Sequence, residues 1–346
     1  MIRPVVLCLG DTRFAQEALQ QLELIAECVT LPEDTTREKF FTLLNDPTSK
    51  LSKVSIITRT AGSIKQTGRF DKELAEKLPD NVVAICHNGA GYDQIDVRYF
   101  NDRHIQVSNT PHIVSNATAD NHVFLLLGAL RNFSCGSRNL LEGKWPQTGE
   151  SAGTPYGHDP EGKTVGILGL GSIGRAIVKR LKPFGFKEFI YHNRRKLSSD
   201  LENGCRYVSF DELLTQSDII SINVPLNQNT RHLLDSNAFE KMKQGVVIVN
   251  TARGAIIDEV ALICALKSGK VRSAGLDVFE FEPHVSKELM DMKQVLVLPH
   301  MGTHCVETTQ KMEEHVFRNV ESVIKTGKVI SIVPEICEEE WFKNLA

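Results

Sequence analysis

The chain has 346 residues, a net charge of −3, 41% hydrophobic residues and 24% charged residues. This length predicts two domains, and the composition is typical of a globular protein with sizeable buried cores. The small net charge argues against a nucleic-acid partner or an anionic membrane surface, and no apolar run reaches the roughly twenty residues of a membrane span.

Short apolar runs alternate with helix-length segments along the whole chain. Runs that are apolar throughout predict parallel strands covered on both faces, hence an α/β fold with two doubly wound parallel sheets. The predicted strands are residues 5–9, 54–58, 82–86, 105–108, 164–168, 189–192, 219–224, 246–250, 274–278 and 295–298.

The order of these segments predicts a discontinuous domain. A long helical pattern over 115–134 follows the first four strands, and a turn-rich stretch over 143–162 precedes the remaining ones. A final helix over about 305–326 is long enough to run back to the first domain. The predicted domains are residues 1–112 with 306–346, and residues 113–305.

Eight cysteines are scattered singly along the chain, and none forms a C-x-x-C pair. Several lie in apolar runs, where a free cysteine acts as a small hydrophobic residue. The spacing predicts no metal site and a reduced, cytoplasmic protein.

Gly169, Gly171 and Gly174 form a G-x-G-x-x-G pattern after the strand predicted at 164–168 and before a helical pattern. This context favours a dinucleotide-binding turn over a glycine turn selected only for packing. Gly169 permits the tight turn, Gly171 lets a pyrophosphate approach the backbone, and Gly174 lets the helix pack closely on the strand. The same predicted cofactor site includes Leu170, Ser172 and Ile173.

About twenty residues after this turn, an NAD site usually has an Asp or Glu that binds the ribose hydroxyls. Here the chain has Asn193, Arg194 and Arg195 instead. A guanidinium can bind the 2′-phosphate of NADP through two charge-assisted hydrogen bonds, whereas a carboxylate would repel it. The segment therefore predicts NADP(H) as the cofactor, with a solvated basic corner as the alternative.

Three further polar residues, Arg253, Glu282 and His300, follow predicted strands in the second half of the chain. The carboxyl ends of parallel strands share one edge of the sheet, where ligands bind. Reduction of a carbonyl builds negative charge on oxygen, which a cation and a proton donor stabilise. Imidazole suits the donor because it titrates near neutral pH.

These three residues, in this order, resemble the D-isomer-specific 2-hydroxyacid dehydrogenases. The resemblance covers essentially the whole chain, and within the family it is closest to the yeast-type glyoxylate reductases through residues 112–131 and 159–174. Further matched positions are Pro225-Leu226, Thr230, Leu233, Met242-Lys243, Asp258, Ala261 and Ala265-Leu266.

The resemblance implies a role for each residue of the trio. Arg253 holds the carboxylate and the 2-oxo group of the substrate. His300 gives a proton to the ketone oxygen while hydride arrives at C2. Glu282 orients His300 and favours its charged form.

The resemblance also implies a flavodoxin-like substrate-binding domain, residues 1–112 with 306–346, and a Rossmann domain, residues 113–305, that binds NADP(H). In the first domain, the backbone N–H groups of Ala90 and Gly91 would bind the substrate carboxylate. In the second, the implied cofactor contacts are Val224, Pro225, Thr230, Thr251, Ala252, Arg253, Asp277, His300 and Gly302, with Asp277 at the nicotinamide amide.

The leading hypothesis is NADPH-dependent reduction of a small 2-oxo acid, glyoxylate or hydroxypyruvate, to the D-2-hydroxy acid by a homodimer. A dehydrogenase for larger or branched 2-oxo acids stays open. A nucleotide-sensing co-repressor of the same fold also stays open, because it shares the Arg-Glu-His trio. The family's formate dehydrogenases are disfavoured, because they lack a glutamate at the position of Glu282.

Overall fold

The computed structural model describes residues 3–345, which fall into two compact units. The first unit comprises the described residues up to Val114 together with those from His304 onwards, and the second is Ser115–Thr303. Each unit is built on a parallel sheet, of five strands in the first and seven in the second. The predicted fold class, two doubly wound parallel-sheet domains, is confirmed.

The strands, in chain order, are β1 (Val5–Leu9), β2 (Glu27–Thr30), β3 (Val54–Thr60), β4 (Ala84–Asn88), β5 (Gln106–Ser108), β6 (Thr164–Leu168), β7 (Glu188–His192), β8 (Arg206–Tyr207), β9 (Ile219–Ile222), β10 (Val246–Asn250), β11 (Val271–Leu276) and β12 (Val295–Val297). The α-helices are α1 (Gln16–Ile25), α2 (Arg37–Asn45), α3 (Ile64–Thr67), α4 (Lys72–Lys77), α5 (Val97–Asn101), α6 (Ser115–Leu130), α7 (Phe133–Leu141), α8 (Trp145–Thr148), α9 (Ser172–Leu181), α10 (Ser199–Glu202), α11 (Phe210–Gln216), α12 (Ser236–Lys241), α13 (Glu259–Lys267), α14 (Lys287–Asp291), α15 (Val306–Thr326), α16 (Pro334–Cys337) and α17 (Glu340–Lys343). Short 3-10 turns occur at Lys50–Lys53, Ala61–Ser63, Glu150–Gly153, Lys182–Phe184 and Gly254–Ile256.

The sheet of the first unit has the order β2-β1-β3-β4-β5. Side chains alternate between its two faces because successive residues of a strand point to opposite sides. Val6 and Ile56 face a cluster that includes Val316 and Val320 of α15. Leu7, with its neighbours on that face, joins the cluster that contains Phe40, Leu74 and Phe100. Both faces are therefore covered, as the continuous apolar runs predict.

The sheet of the second unit has the order β12-β11-β10-β9-β6-β7-β8. One side of helix α6 is buried in this unit, where Leu125 and Leu126 pack in a cluster with Val247 and Val249 of β10. Gly275 of β11 allows this close approach, because a Cβ there would lie 2.7 Å from the Leu125 carbonyl oxygen. The strand order reverses between β6 and β9, and ligands of such sheets bind outside the carboxyl ends at that point.

The helix predicted over 115–134 is two helices, α6 and α7. Asn132 between them has a φ of +57°, a left-handed conformation that interrupts the helical path. Strands β2 and β8 were not predicted. They are short edge strands whose residues are largely half-exposed, so they lack the continuous apolar run of the central strands.

No helix within residues 3–345 combines the length and the apolar character that a membrane span requires. All eight cysteines are free thiols. In the same described part of the chain, no group of three His, Cys, Asp or Glu side chains is placed to share a metal ion.

Glu313 of α15 joins the last long helix to the start of the first one. Its side chain is buried, and its two carboxylate oxygens accept hydrogen bonds from the backbone N–H groups of Arg13 (2.9 Å), Phe14 (2.9 Å) and Ala15 (2.8 Å). Helix α1 has no side-chain cap of its own. Glu313 therefore supplies the acceptors and the negative charge that the N-terminus of α1 requires.

Changing Glu313 to Gln should destabilise the first unit by about 1–3 kcal/mol, because an amide group replaces one accepting oxygen in a buried site. The urea midpoint should fall, and the amides of residues 13–15 should exchange faster with deuterium. The matched control is Glu314→Gln, whose half-buried carboxylate accepts a hydrogen bond from Gln310 (2.9 Å). Equal midpoints for the two variants would contradict this role of Glu313.

Candidate active site

Most predicted site residues lie along one edge of the second unit's sheet. All its strands are parallel, so their carboxyl ends share this edge. The glycine turn follows β6, Arg194 and Arg195 follow β7, Val224 and Pro225 follow β9, Arg253 follows β10, Asp277 follows β11, and His300 follows β12. Ala90 and Gly91 lie in the first unit, after β4.

Each glycine of the turn is required for a different structural reason. Gly169 has a φ of +98°, and a Cβ there would lie 2.9 Å from the backbone of Asn223 and Val224. A Cβ on Gly174 would collide with the Gly169 carbonyl oxygen, whereas a Cβ on Gly171 would meet nothing within 4 Å. Gly171 therefore borders open space at the N-terminus of α9, as an approaching pyrophosphate requires.

Asn193 ties the end of β7 to this turn. Its Oδ1 atom accepts a hydrogen bond from the backbone N–H of Leu170 (2.8 Å), and its carbonyl oxygen accepts one from the Tyr207 hydroxyl (3.2 Å). Leu170 itself is fully buried. Asn193 therefore fixes the shape of the turn, a contribution that the sequence did not predict.

Arg194 and Arg195 are exposed directly after β7. Within residues 3–345, neither guanidinium makes a hydrogen bond or an ion pair, whereas the neighbouring Lys196 lies 3.8 Å from Glu202. Two guanidinium groups without a hydrogen-bond or ion-pair partner in the described part of the chain therefore lie beside the turn. Such groups can bind an anionic group at the adenosine end of a dinucleotide.

The segment after β9 closes on itself through Thr230. The Thr230 hydroxyl donates to the carbonyl oxygen of Pro225 (2.6 Å) and accepts from the backbone N–H of Asn227 (2.8 Å). Its only proton is used inside the loop. Thr230 therefore shapes the segment that contains Val224 and Pro225, and it can accept but not donate a bond to a ligand.

Arg253 is held by contacts that begin in β10. The side chain of Asn250 donates to the Arg253 carbonyl oxygen (2.9 Å) and accepts from the Ala252 N–H (3.0 Å). The Arg253 guanidinium also donates to the Ala252 carbonyl oxygen (2.8 Å). The buried side chain at the strand end thus sets the path of residues 251–253.

Thr251 is fixed from helix α6 by His122, which is fully buried. The two ring nitrogens of His122 lie 2.8 Å from the hydroxyl oxygens of Thr251 and Ser221. Burial lowers the pKa of His122 to about 3, so the ring is neutral at physiological pH. His122 links the ends of β9 and β10, another contact that the sequence did not predict.

His300 and Glu282 form a direct pair. The His300 Nδ1 atom lies 2.7 Å from Glu282 Oε2, and Glu282 Oε1 accepts a hydrogen bond from the Phe279 N–H (2.9 Å). His300 has a φ of +53°, an unfavourable conformation for a residue with a Cβ. The Nε2 atom on the other side of the ring is the one that could transfer a proton.

Burial opposes the ionisation of Glu282, but the hydrogen bond and the charge of His300, the Phe279 N–H and the charge of Arg253 outweigh it. The pKa of Glu282 consequently lies below its ordinary value. The carboxylate is therefore ionised at neutral pH, and the three predicted catalytic residues are electrostatically coupled.

Asp277 holds the backbone on which His300 lies. Its buried carboxylate accepts from the N–H groups of Met301 (2.6 Å) and Gly302 (2.8 Å), and its carbonyl oxygen accepts from the His300 N–H (2.7 Å). Burial raises the pKa of Asp277, and the two amide contacts offset this only in part. Asp277 therefore positions the histidine, whatever contact it makes with a nicotinamide.

In the loop after β4, residues 89–94, two backbone N–H groups are open while the neighbouring carbonyl oxygens accept hydrogen bonds. The N–H groups of Ala90 and Gly91 have no hydrogen-bond partner within residues 3–345. Four consecutive carbonyl oxygens are occupied: that of Gly89 by Thr110 N (3.0 Å), that of Ala90 by Asn109 Nδ2 (2.8 Å), that of Gly91 by His87 Nε2 (3.0 Å) and that of Tyr92 by Ile95 N (2.9 Å). Open N–H groups in such a loop are suited to a carboxylate.

Comparisons with known proteins identify the relatives of the chain. A family model described as D-isomer specific 2-hydroxyacid dehydrogenase, NAD binding domain, matches residues 123–302. The chain is 64% identical to glyoxylate reductase 1 of Saccharomyces cerevisiae, over 98% of this chain and 97% of that protein. It is 47% identical to 4-methyl-2-oxopentanoate reductase A of Aspergillus oryzae, over 96% and 98%.

Two solved structures are similar over nearly their full length. A glyoxylate reductase from Paecilomyes thermophila has a TM-score of 0.91 and 46% identity, covering 97% of this chain and 99% of that chain. An NADPH-dependent glyoxylate/hydroxypyruvate reductase from Sinorhizobium meliloti, in complex with NADP and malonate, has a TM-score of 0.82 and 29% identity, covering 96% and 98%.

Substitutions at Gly171 and Gly174 should separate ligand binding from stability. Gly174→Ala should lower the free energy of unfolding by about 1–3 kcal/mol, because its Cβ overlaps backbone. Gly171→Ala should change it by no more than about 0.5 kcal/mol. Gly171→Ala should nevertheless weaken dinucleotide binding about tenfold, since the methyl group would occupy the space of the pyrophosphate. Urea unfolding and fluorescence titration with NADPH measure both effects. Unweakened binding to the folded Gly171 variant would contradict a phosphate site at this turn.

Proposed function

Because the chain belongs to the D-isomer specific 2-hydroxyacid dehydrogenase family, we propose that it reduces a small 2-oxo acid to the D-2-hydroxy acid with NADPH. Glyoxylate and hydroxypyruvate are the first candidates. The observation that carries the proposal is the hydrogen-bonded pair of His300 and Glu282, coupled to Arg253 at the sheet edge that bears the glycine turn. The 64% identity to a protein named glyoxylate reductase supports this substrate class.

NADPH held at the glycine turn and by Arg194 and Arg195 would supply a hydride for C2 of the substrate. The guanidinium of Arg253 binds the carboxylate and the 2-oxo group and stabilises the negative charge that develops on oxygen. His300 gives its Nε2 proton to that oxygen, so one hydride and one proton convert the carbonyl group into the alcohol. Glu282 accepts from the opposite ring nitrogen and keeps the imidazole oriented through the step.

We assign the backbone contacts of the substrate carboxylate to Ala90 and Gly91 of the first unit, and the dinucleotide to the second unit. The open N–H groups of Ala90 and Gly91 support the first assignment, and the open space at Gly171 supports the second. Arg194 and Arg195 favour NADPH over NADH, because the 2′-phosphate offers them a doubly charged partner. The similarity to an NADPH-dependent reductase also favours this choice.

A larger, branched 2-oxo acid is a second candidate substrate. It is favoured by the 47% identity to a protein named 4-methyl-2-oxopentanoate reductase. The chemistry at C2 would be the same, and the two substrates would differ in the volume that the pocket must offer beyond C2. The cytoplasmic location inferred from the scattered cysteines stays a prediction.

We also propose that the protein is a homodimer that pairs through α7 and the segment that follows it. Leu141 and Tyr156 are 85% and 87% exposed, and Trp145 is 56% exposed. Large apolar side chains at this density in one segment are typical of an interface.

Sedimentation equilibrium of the wild-type protein should give twice the mass of one chain, and the substitution Leu141→Glu should shift the measured mass towards that of the monomer. A wild-type monomer at micromolar concentration would refute the dimer.

The reaction is tested by following NADPH absorbance with a panel of 2-oxo acids, each with both nicotinamide cofactors. Glyoxylate or hydroxypyruvate should give the highest kcat/KM, and the chiral product should be the D isomer. A higher kcat/KM for 4-methyl-2-oxopentanoate would favour the second candidate. Absence of turnover with every 2-oxo acid would refute the proposed function.

Changing Arg194 to Ala should raise the KM for NADPH about tenfold and leave the KM for NADH almost unchanged. The loss corresponds to one charge-assisted hydrogen bond to an exposed phosphate. Lys196→Ala is the control, since Lys196 is also an exposed cation and lies two residues further along the segment. Equal damage to both cofactors would rule out a phosphate contact for Arg194.

Changing His300 to Ala should lower kcat by about 10²–10⁴-fold while NADPH binding is kept. Glu282→Gln should lower kcat about tenfold at neutral pH through loss of a charged hydrogen bond. The pKa of Glu282 lies below its ordinary 4.5, so wild-type Glu282 becomes neutral only as the pH falls below that value. The deficit of the Gln variant should therefore persist from neutral pH down to about pH 4.5, and it should disappear only below the pKa of Glu282. An equal kcat for the Gln variant and wild type at neutral pH would contradict the ionised pair.

A further inference from the structure

The loop after β4 is supported from below by two side chains of the sheet. His87 of β4 and Arg59 of β3 are register partners, so their side chains lie on the same face of adjacent strands. Both are buried, with exposed fractions of 2% and 1%. His87 contacts the Gly91 carbonyl oxygen, and Arg59 donates from Nη2 to Gln94 Oε1 (2.6 Å).

Arg59 makes this support rigid. Its guanidinium lies over the ring of Phe70, 4.8 Å from the centroid. Burial lowers its pKa to about 10, so the group is still charged at neutral pH. A buried charge is retained only where it has partners. The bond to Gln94 therefore fixes the far end of the loop.

His87 sits so close beneath the loop that Gly89 has to be glycine. A Cβ on Gly89 would lie 2.6 Å from His87 Nε2. Because a carbonyl oxygen can only accept, the Nε2 atom of His87 must carry the proton that is donated to Gly91. The imidazole is thus a hydrogen-bond donor aimed at a single peptide group of the loop.

In a trans peptide, the carbonyl of one residue and the N–H of the next point in opposite directions. A donor that holds a carbonyl therefore also orients the following N–H group. Thr110 and Asn109 orient the N–H groups of Ala90 and Gly91 in this way, by binding the carbonyls of Gly89 and Ala90. His87, through the Gly91 carbonyl, orients the N–H group of Tyr92.

The Tyr92 N–H group has no hydrogen-bond partner within residues 3–345, like those of Ala90 and Gly91. The neighbouring Tyr92 carbonyl is already used by Ile95. Three successive N–H groups are therefore open, while the carbonyls that precede them are all held. Such a run of oriented N–H groups can donate three hydrogen bonds, which is enough for both oxygens of a carboxylate and one neighbouring acceptor.

We propose that His87 is a positioning residue for recognition of the substrate carboxylate. It turns the Gly91–Tyr92 peptide so that Tyr92 contributes a third N–H donor beside those of Ala90 and Gly91. This proposal rests on the function proposed above and extends it to a contact outside the catalytic trio. The ligand is the carboxylate group common to all 2-oxo acids, so the effect does not depend on the rest of the substrate.

Two variants test the proposal. His87→Phe keeps a flat ring beneath Gly89 but removes the donor, and His87→Gln keeps an amide donor at a similar reach. The Phe variant should raise the KM for glyoxylate roughly three- to tenfold, with kcat largely kept and the KM for NADPH unchanged. The Gln variant should recover most of this loss. A purely structural role would lower the urea midpoint without this selective change in KM.

An unchanged KM for glyoxylate in the folded Phe variant would overturn the proposal, and so would an equal loss in the Gln variant. Should the Phe variant fail to fold, His87→Ala, which also removes the donor, takes its place. An unchanged KM for glyoxylate in the folded Ala variant would overturn the proposal.

Failure of the proposed function is separable from failure of this inference. In wild type with NADPH, oxalate serves as a non-reducible carboxylate probe, and the amides of residues 90–92 should be protected from exchange when it binds. Protection without turnover of any 2-oxo acid would refute the proposed reductase activity but support carboxylate binding by the loop. Turnover with no protection at Tyr92 would refute the role of the loop and leave the proposed activity unaffected.

Discussion

The position of His300 depends on one buried carboxylate, that of Asp277. Three successive backbone N–H groups, those of residues 300–302, are bound by the carbonyl and the carboxylate of this single residue. The left-handed conformation of His300 costs free energy of about 1 kcal/mol or more, and it persists because these bonds over-determine it. The pairing with Glu282, and hence the geometry of the candidate acid, follows from a side chain that faces away from solvent.

The fold was largely predictable because the apolar runs record burial directly. Strands β1, β6 and β10 have the predicted bounds, since each is mostly apolar, almost entirely buried and lies inside its sheet. The short edge strand β8 has no such signal, because only one neighbour stabilises it. The break at Asn132 also escaped prediction, since a single left-handed residue leaves the helical periodicity on both sides unchanged.

In the candidate site, the residues that could be predicted are those that follow a strand. Chain order alone places Arg253 and His300 at the shared edge of a parallel sheet. The supporting residues could not be found in this way. His122 contacts Thr251 across 129 positions of the chain, and Asn109 reaches Ala90 from a separate loop. Their roles follow from tertiary packing, which no local pattern in the sequence records.

Helix α15 covers one face of the first sheet, yet it is synthesised only after the whole second unit. At roughly 5–20 residues per second, translation of Ser115–Thr303 separates the two halves of this unit by roughly 10–40 s. During that interval Val6, Ile56 and Ala84 lack the apolar side chains of α15 that bury them in the finished protein. The second unit, which is continuous in the chain, can complete its own sheet before any later residue has been synthesised. Maturation of the nascent chain therefore proceeds from the middle outwards, and one face of the first sheet stays uncovered until α15 has been made.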